Sequence, residues 1–147
     1  MKIVYVILFS FFLIPFSFSQ APDIEWENRI GGNSYDEMRC VAQTADGGYI
    51  LGGESLSGIS TDKSDPNFGY SDFWVVKLNI YGEIIWDKTF GGSNEDRLRS
   101  IHQTSDGGYI LGGNSQSGIS GNKTEINLGQ QDYWIIKIDS LGILEWQ

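Results

Sequence analysis

Trp26 returns as Trp86 and again as Trp146, and any fold for this chain has to accommodate that regular return. At the same shift Gly31-Gly32 recurs as Gly91-Gly92, Asp46-Gly47-Gly48-Tyr49-Ile50 as Asp106-Gly107-Gly108-Tyr109-Ile110, and Asp72-x-Trp74 as Asp132-x-Trp134. There is no gap, and nearly half of the paired positions are identical. A period of this size belongs to a supersecondary unit that buries its faces against its own copies. It also sorts the residues: what the unit's geometry needs recurs, and what serves a single site does not have to. His102 stands opposite Ala42 and Cys40 opposite Ser100, so neither belongs to the plan of the unit. The expectation is a partly exposed strand residue for His102, and a small buried hydrophobe for Cys40 within the apolar stretch 38–42.

Inside the unit the local signals are those of strands. Residues 36–44 run into Ala45-Asp46-Gly47-Gly48, a tight-turn signal because the central positions need φ > 0, and 48–56 form the return arm of the hairpin. A Ser/Gly/Asn/Asp-rich stretch, 57–71, reads as a long loop. Residues 72–79 are β-branched and aromatic, Ile80-Tyr81-Gly82 turns the chain, and 83–92 supply a fourth strand. In the third strand Phe73, Val75 and Lys77 alternate with Trp74, Val76 and Leu78, with Lys77 expected to reach out to solvent along its own stem. Gly52-Gly53, repeated at 112–113, marks a close backbone approach or a bend. No segment places apolar residues at i, i+3, i+4 and i+7. Four short antiparallel strands in each repeat make one propeller blade, so the expected fold is all-β and β-propeller-like: two four-stranded antiparallel blades and an incomplete ring.

Composition narrows the function classes. With 19 acidic against 10 basic residues and a formal charge of −9, the chain is poorly suited to a nucleic-acid backbone or an anionic membrane surface. One Cys cannot form an internal disulfide, and one Cys with one His cannot build a tetrahedral zinc site from those ligand types. Residues 1–19 carry Lys2, an apolar run and Ser17-x-Ser19, the pattern of a signal peptide cleaved after Ser19. The apolar run, interrupted by Ser10 and Pro15, is short for a membrane-crossing helix, and no Cys follows it to serve as a lipoprotein anchor. The expected organisation is therefore a leader (1–19), a short segment (20–24), a first repeat (25–84), a second repeat (85–144) and the opening of a third (145–147), exported to the outer surface or medium with no span left after cleavage.

The pattern GGSNEDRLRSIHQTSDGGYILGGNSQSG, followed by DYWIIKIDSLGILEW, resembles the tandem propeller-type repeats of this same length in large secreted and cell-surface proteins of bacteria that use type IX secretion. The similarity extends over residues 24–147 and rests on glycines, aromatics and their spacing. KLNIYGEIIW and KIDSLGILEW also look like the strand-turn-strand ending in Trp of quinoprotein-type propellers, and by that likeness Trp86 and Trp146, with Trp26 at the same phase, are blade-docking residues. The quinone-binding residues of those enzymes have no counterpart, so no cofactor is carried over. Thr44-x-Asp46-Gly47-Gly48 and its copy, Thr104 to Gly108, partly resemble the structural Asp-box turn of sialidase-like propellers, without its closing aromatic. Such proteins have many repeats, and propellers close with about four to eight blades. Two blades expose apolar faces and unpaired edges, so the chain reads first as a fragment of a longer protein whose further blades are its partners, with assembly of other copies of this chain as the alternative.

For chemistry, the 57–71 loop and its border offer Asp62, Asp65, Asn67 and Asp72, oxygen ligands of the type calcium prefers, though not at EF-hand spacing. The partner loop offers Asn122, Glu125, Asn127 and Asp132. Asp/Asn-rich loops are also ordinary turn chemistry, and Asp72 and Asp132, each just before a strand, are expected to accept backbone N–H bonds and pin the loop's end. Asp36 and Asp96 recur, which assigns them a geometric task and not that of a glycosidase carboxylate pair. No nucleotide-binding glycine fingerprint opens a helix, and no G-x-S-x-G occurs. The expected role is a non-catalytic scaffold, adhesion or ligand-binding module whose rim loops, with exposed groups such as Tyr70, meet glycans or surface proteins. The alternative is part of a carbohydrate-active or cofactor-dependent propeller enzyme whose catalytic residues lie in other blades.

Overall fold

In the computed structural model, residues 22–147 are described, and the expected leader, 1–19, lies outside them together with the first two positions of the 20–24 segment. Eight strands follow in order: β1 (Asp36–Gln43), β2 (Tyr49–Ser55), β3 (Asp72–Leu78), β4 (Ile84–Phe90), β5 (Asp96–Gln103), β6 (Tyr109–Ser115), β7 (Asp132–Ile138) and β8 (Leu144–Trp146). They form two four-stranded sheets, β1-β2-β3-β4 and β5-β6-β7-β8, every neighbouring pair antiparallel. Among the described residues there is no helix, and so none long and apolar enough to cross a membrane. The architecture is all-β, two propeller-type blades that do not close a ring.

The sequence repeat is visible in the register. Met38 pairs with Gly53 and Gly53 with Trp74, and Leu98 pairs with Gly113 and Gly113 with Trp134. A bulge falls between Met38 and Cys40 in β1 and between Leu98 and Ser100 in β5, re-aiming the edge strand at the same place in each blade. The Asp-Gly-Gly hairpins close through Gly47 and Gly107, at φ of 82° and 86°, a region open to glycine at no steric cost. Gly53 and Gly113 are needed for a different reason: a Cβ there would run into the carbonyl oxygen of Glu37 or Arg97 on the neighbouring strand.

The sheets stack, and the main core lies between them. Ile50, Phe73 and Val75 from the first blade pack with Leu98, Ile101, Tyr109, Leu111, Trp134, Ile136 and Ile138 from the second. A smaller core of Trp74, Val76 and Leu78, with Ile30, Tyr49, Leu51 and Ile84 against it, covers the opposite face of the first sheet. Every residue of β3 is buried, which is why that strand is apolar on both faces. In the matching β7, Tyr133 and Ile135 are exposed because no further sheet covers them.

Lys77 corrects the expectation of a solvated side chain. It is buried, and its Nζ donates to the Leu78 carbonyl at 2.9 Å and lies 2.9 Å from Asp46 Oδ2. Lys137 repeats this with the Ile138 carbonyl (3.1 Å) and Asp106 (3.1 Å). Each lysine thus ties the third strand of its blade to the hairpin turn preceding the second. Alternation along one strand placed the stem correctly, but the destination of the ammonium depended on a turn on the far side of the long loop. The Asp46 carboxyl is held down to about 2, first by the Thr44 hydroxyl, then by Lys77 and the Gly48 N–H. The same three kinds of donor hold Asp106 down to about 2.

Candidate functional site

The long loops leave one rim of each blade, and their repeated polar residues are occupied in latching them. Asp36 Oδ2 accepts from the Gly32 N–H (2.7 Å) and the Ser57 hydroxyl (3.0 Å), and Asp96 Oδ2 accepts from Gly92 (2.7 Å) and Ser117 (2.8 Å). The Ser57 and Ser117 oxygens in turn accept the N–H groups of Ser34 and Asn94, both at 2.9 Å. Ser60 and Ser120 cap Asn33 and Ser93 in the same way, at 3.0 and 2.8 Å. The recurrence of Asp36 and Asp96 is thereby explained by geometry: each fastens the Gly-Gly segment entering its blade to the root of the loop.

The four calcium candidates are drawn into the same fastening. Asp62 Oδ2 accepts from the Gly31 N–H at 3.1 Å, the place that Asn122 takes on Gly91 at 2.9 Å. Asp65 Oδ2 accepts from the Thr89 N–H at 3.2 Å, and Asn67 Nδ2 donates to the Gly69 carbonyl at 2.9 Å. Asp72 Oδ2 accepts from Phe68 N–H (2.5 Å) and Gly69 N–H (3.4 Å), as Asp132 does from Leu128 (2.6 Å), so both aspartates pin the end of their loop. Asp62 and Asp65 are tied to separate pieces of backbone, and Asn67 and Asp72 meet at Gly69. Among the described residues, no group of three or more His, Cys, Asp or Glu side chains is placed to hold a metal.

Beneath each loop lies a lysine that the sequence reading did not single out. Lys63 is buried, donates to the Asp65 carbonyl (2.6 Å) and the Thr89 hydroxyl, and stands 6.0 Å from the Trp74 ring centroid. Burial pushes its pKa down, and Asp87 is the foremost charge opposing that shift. Asp87 also accepts from Trp74 Nε1 (3.0 Å), the Ser64 N–H (3.0 Å) and the Ser64 hydroxyl. In the second blade Lys123 donates to the Glu125 carbonyl at 2.6 Å and lies 5.7 Å from Trp134, and Gln147 Oε1 takes Asp87's place on Trp134 Nε1 (3.2 Å) and Thr124 N–H (3.1 Å). The available signal was the recurrence of Lys63 as Lys123, which the composition of the loop obscured.

Trp26 and Trp86 each pack on the blade that follows them. Trp26 packs edge-on against Tyr49 at 5.5 Å and over Gly82, where a Cβ would come within 2.7 Å of its ring. Trp86 repeats the contact on Tyr109 at 6.2 Å and over Gly142, where the ring would lie 3.2 Å from a Cβ. Each indole therefore covers the hairpin Tyr and the strand-turn Gly of the blade that follows it. Trp146 is half exposed, with no following blade among the described residues to cover. His102 is exposed, and Cys40 is half-buried against the inter-blade core.

The junction between the blades carries the charged groups. Glu54, nearly buried, sits between Arg39 (3.1 Å) and Arg97 (3.2 Å), with Glu37 on Arg39 at 2.7 Å and Glu95 on Arg97 at 2.8 Å. Asp72 and Asp96 are both fully buried, and Oδ1 of each lacks a hydrogen-bond partner. Burial raises the Asp72 carboxyl from 3.8 to about 6; the N–H bonds from Phe68 and Gly69 oppose this and the Asp96 charge adds to it. Because the folded pKa lies above the unfolded one, the native state holds more protons between these values, and stability falls as pH rises from about 4 to about 6. Asp72→Asn keeps an acceptor for Phe68 without the charge. Relative to wild type it is expected to gain about 3 kcal/mol across that window and hold the gain above pH 6, read by denaturant unfolding from pH 4 to 7.5. A wild-type/variant difference that does not change with pH would remove the buried charge from the account.

Fold and loops together define a propeller-type repeat protein with latched rim loops. No protein-family model matches the chain, and no curated protein matches it either.

Proposed function

We propose that the chain is an exported propeller segment of a bacterial surface or secreted protein, acting as a non-catalytic scaffold whose rim loops bind a ligand. The observation that carries this reading is the division of labour in the loops. Most of the repeated polar side chains are engaged in latching the loops, and among the residues left facing solvent are large apolar ones: Ile59, Phe68 and Tyr70 in the first loop, and Ile119, Ile126 and Leu128 in the second, beside polar Thr61, Thr124, Glu125, Gln130 and Gln131. Apolar and aromatic side chains held out on a fastened backbone suit a glycan face or a protein surface, since little loop entropy is lost on binding. A carbohydrate-active enzyme remains the alternative, with its catalytic carboxylates contributed by other blades.

The test uses the full chain on an array of bacterial and host polysaccharides, with release of reducing ends measured on the same glycans. The scaffold reading expects retention without cleavage, weakened about tenfold or more by Tyr70→Ala with Leu128→Ala. Cleavage supports the enzyme, and absence of retention on every glycan and on surface-protein extracts removes the binding role.

A further inference from the structure

The contact between the two blades shows what each free face is shaped to receive. On the facing side of the first blade, Phe73 sets its ring 5.0 Å from Trp134 and over Gly113, where a Cβ would lie 2.6 Å from Phe73 Cζ. In return Leu98 of the second blade fills the space over Gly52, which a Cβ there would occupy. Both halves of this fit recur one repeat away on the outer faces, unfilled. Phe73 is 0% exposed, whereas its counterpart Tyr133 is 90% exposed; Leu98 is 0% exposed and its counterpart Met38 61%. Two clefts match them. One, lined by Met38, Leu51, Gly53 and Trp74, is the counterpart of the seat in which Phe73 lies. The other, over Gly112 beside Tyr133 and Ile135, is the counterpart of the seat that receives Leu98.

We infer that the β7 face of one copy of this chain docks on the Trp74 face of a second copy, Tyr133 seated over Gly53 and Trp74 and Met38 seated over Gly112, repeating between chains the junction found within one. The inference rests on the propeller reading of the two sheets and is independent of the binding role of the loops. The occupant is a copy of this chain because each outer face carries the side chain that the other face's empty seat lacks, Tyr133 on one and Met38 on the other. Within the chain, Glu54 meets Arg97, and the residues that replace them on the outer faces are Asn114 and Glu37. Arg99, next to Asn114 with its Nε 3.5 Å from Oδ1, is exposed and opposite in sign to Glu37, which within its own chain pairs with Arg39 at 2.7 Å, so the two faces meet without like-charge repulsion there. The junction is heterologous, so it propagates from copy to copy until a ring closes. With two blades per copy and about four to eight blades in a closed propeller, closure falls at roughly two to four copies.

The experiment is mass measurement by light scattering and sedimentation on the full chain over a range of concentrations, with Tyr133→Lys and Met38→Lys as variants. Both positions are exposed, so neither substitution disturbs the folded unit. Wild type is expected at two to four times its own protomer mass and each variant at one protomer mass. An equimolar mixture of the two variants should give a species of two chains, because one intact copy of each face remains. A single-protomer wild type at every concentration overturns the inference, as does a variant that keeps the wild-type assembly, an aggregate indifferent to both substitutions, or a mixture that stays monomeric. Glycan retention by the same samples is scored separately, so a failure of assembly is not read as a failure of the loops to bind.

Discussion

Phe73→Ala is expected to lower the unfolding free energy by about 3–5 kcal/mol, and Tyr133→Ala, at the same place in the next repeat, by no more than about 0.5 kcal/mol. Both are aromatic residues on equivalent strands, at equivalent register with their neighbours: Phe73 with Glu54 and Tyr133 with Asn114. They differ in what stands in front of them. Phe73 is enclosed between the sheets against Trp134 and Gly113, so truncation leaves a cavity in the larger core that the flanking strands cannot collapse to fill. Tyr133 faces solvent, and its removal takes little apolar surface out of a packed environment. The comparison is to be made by urea unfolding at protein concentrations low enough to keep chains separate, so that the docking of copies does not add to the Tyr133 value. Similar losses at both positions would mean that the sheets do not stack as described.

Asp87→Ala is expected to cost about 3–5 kcal/mol, and Asp87→Gln about 1 kcal/mol. Alanine orphans Trp74 Nε1 and the Ser64 N–H, and removes the carboxylate foremost in sustaining the buried Lys63 charge. Glutamine is the solution the protein itself uses at the other end of the repeat, where Gln147 satisfies the Trp134 indole and the Thr124 N–H beside the buried Lys123. Urea unfolding of both variants beside wild type provides the measurement, and a further variant, Lys63→Met with Asp87→Ala, separates the two contributions. If the loss at Asp87→Ala comes mainly from a stranded charge, replacing Lys63 as well should recover a large part of it. Equal costs for alanine and glutamine would show that neither the indole nor the lysine depends on an acceptor there.

Much of the fold was legible because its determinants are local. The Asp-Gly-Gly hairpins, the Gly82 turn and the strand segments follow from turn chemistry and side-chain periodicity, and the expected strands differ from the observed ones only by one or two end residues. Recurrence separated geometry from chemistry: Asp36 and Asp96 were assigned a geometric role because they repeat, and both fasten a Gly-Gly segment to a loop root. The loops were less legible. Asp62, Asp65, Asn67 and Asp72 share the composition of a calcium loop, and composition alone does not say that the three aspartates accept backbone N–H bonds while Asn67 donates to a carbonyl. Lys63 escaped notice, and Lys77 was expected in solvent, for the same reason. A lysine in a loop or at a strand position reads as solvated until the distant carbonyls, hydroxyls and carboxylates around it are in place.

Near-neighbour sterics and the need to bury a repeated pattern against its copy set the unit along the chain: its length, its four strands, its turns and the apolar character of both faces of the third strand. Which copies of that pattern are satisfied depends on how the sheets pack. Phe73 and Tyr133, Leu98 and Met38, Trp86 and Trp146 are equivalent in sequence, but burial depends on the blade that stands opposite, and that contact is made between residues far apart along the chain.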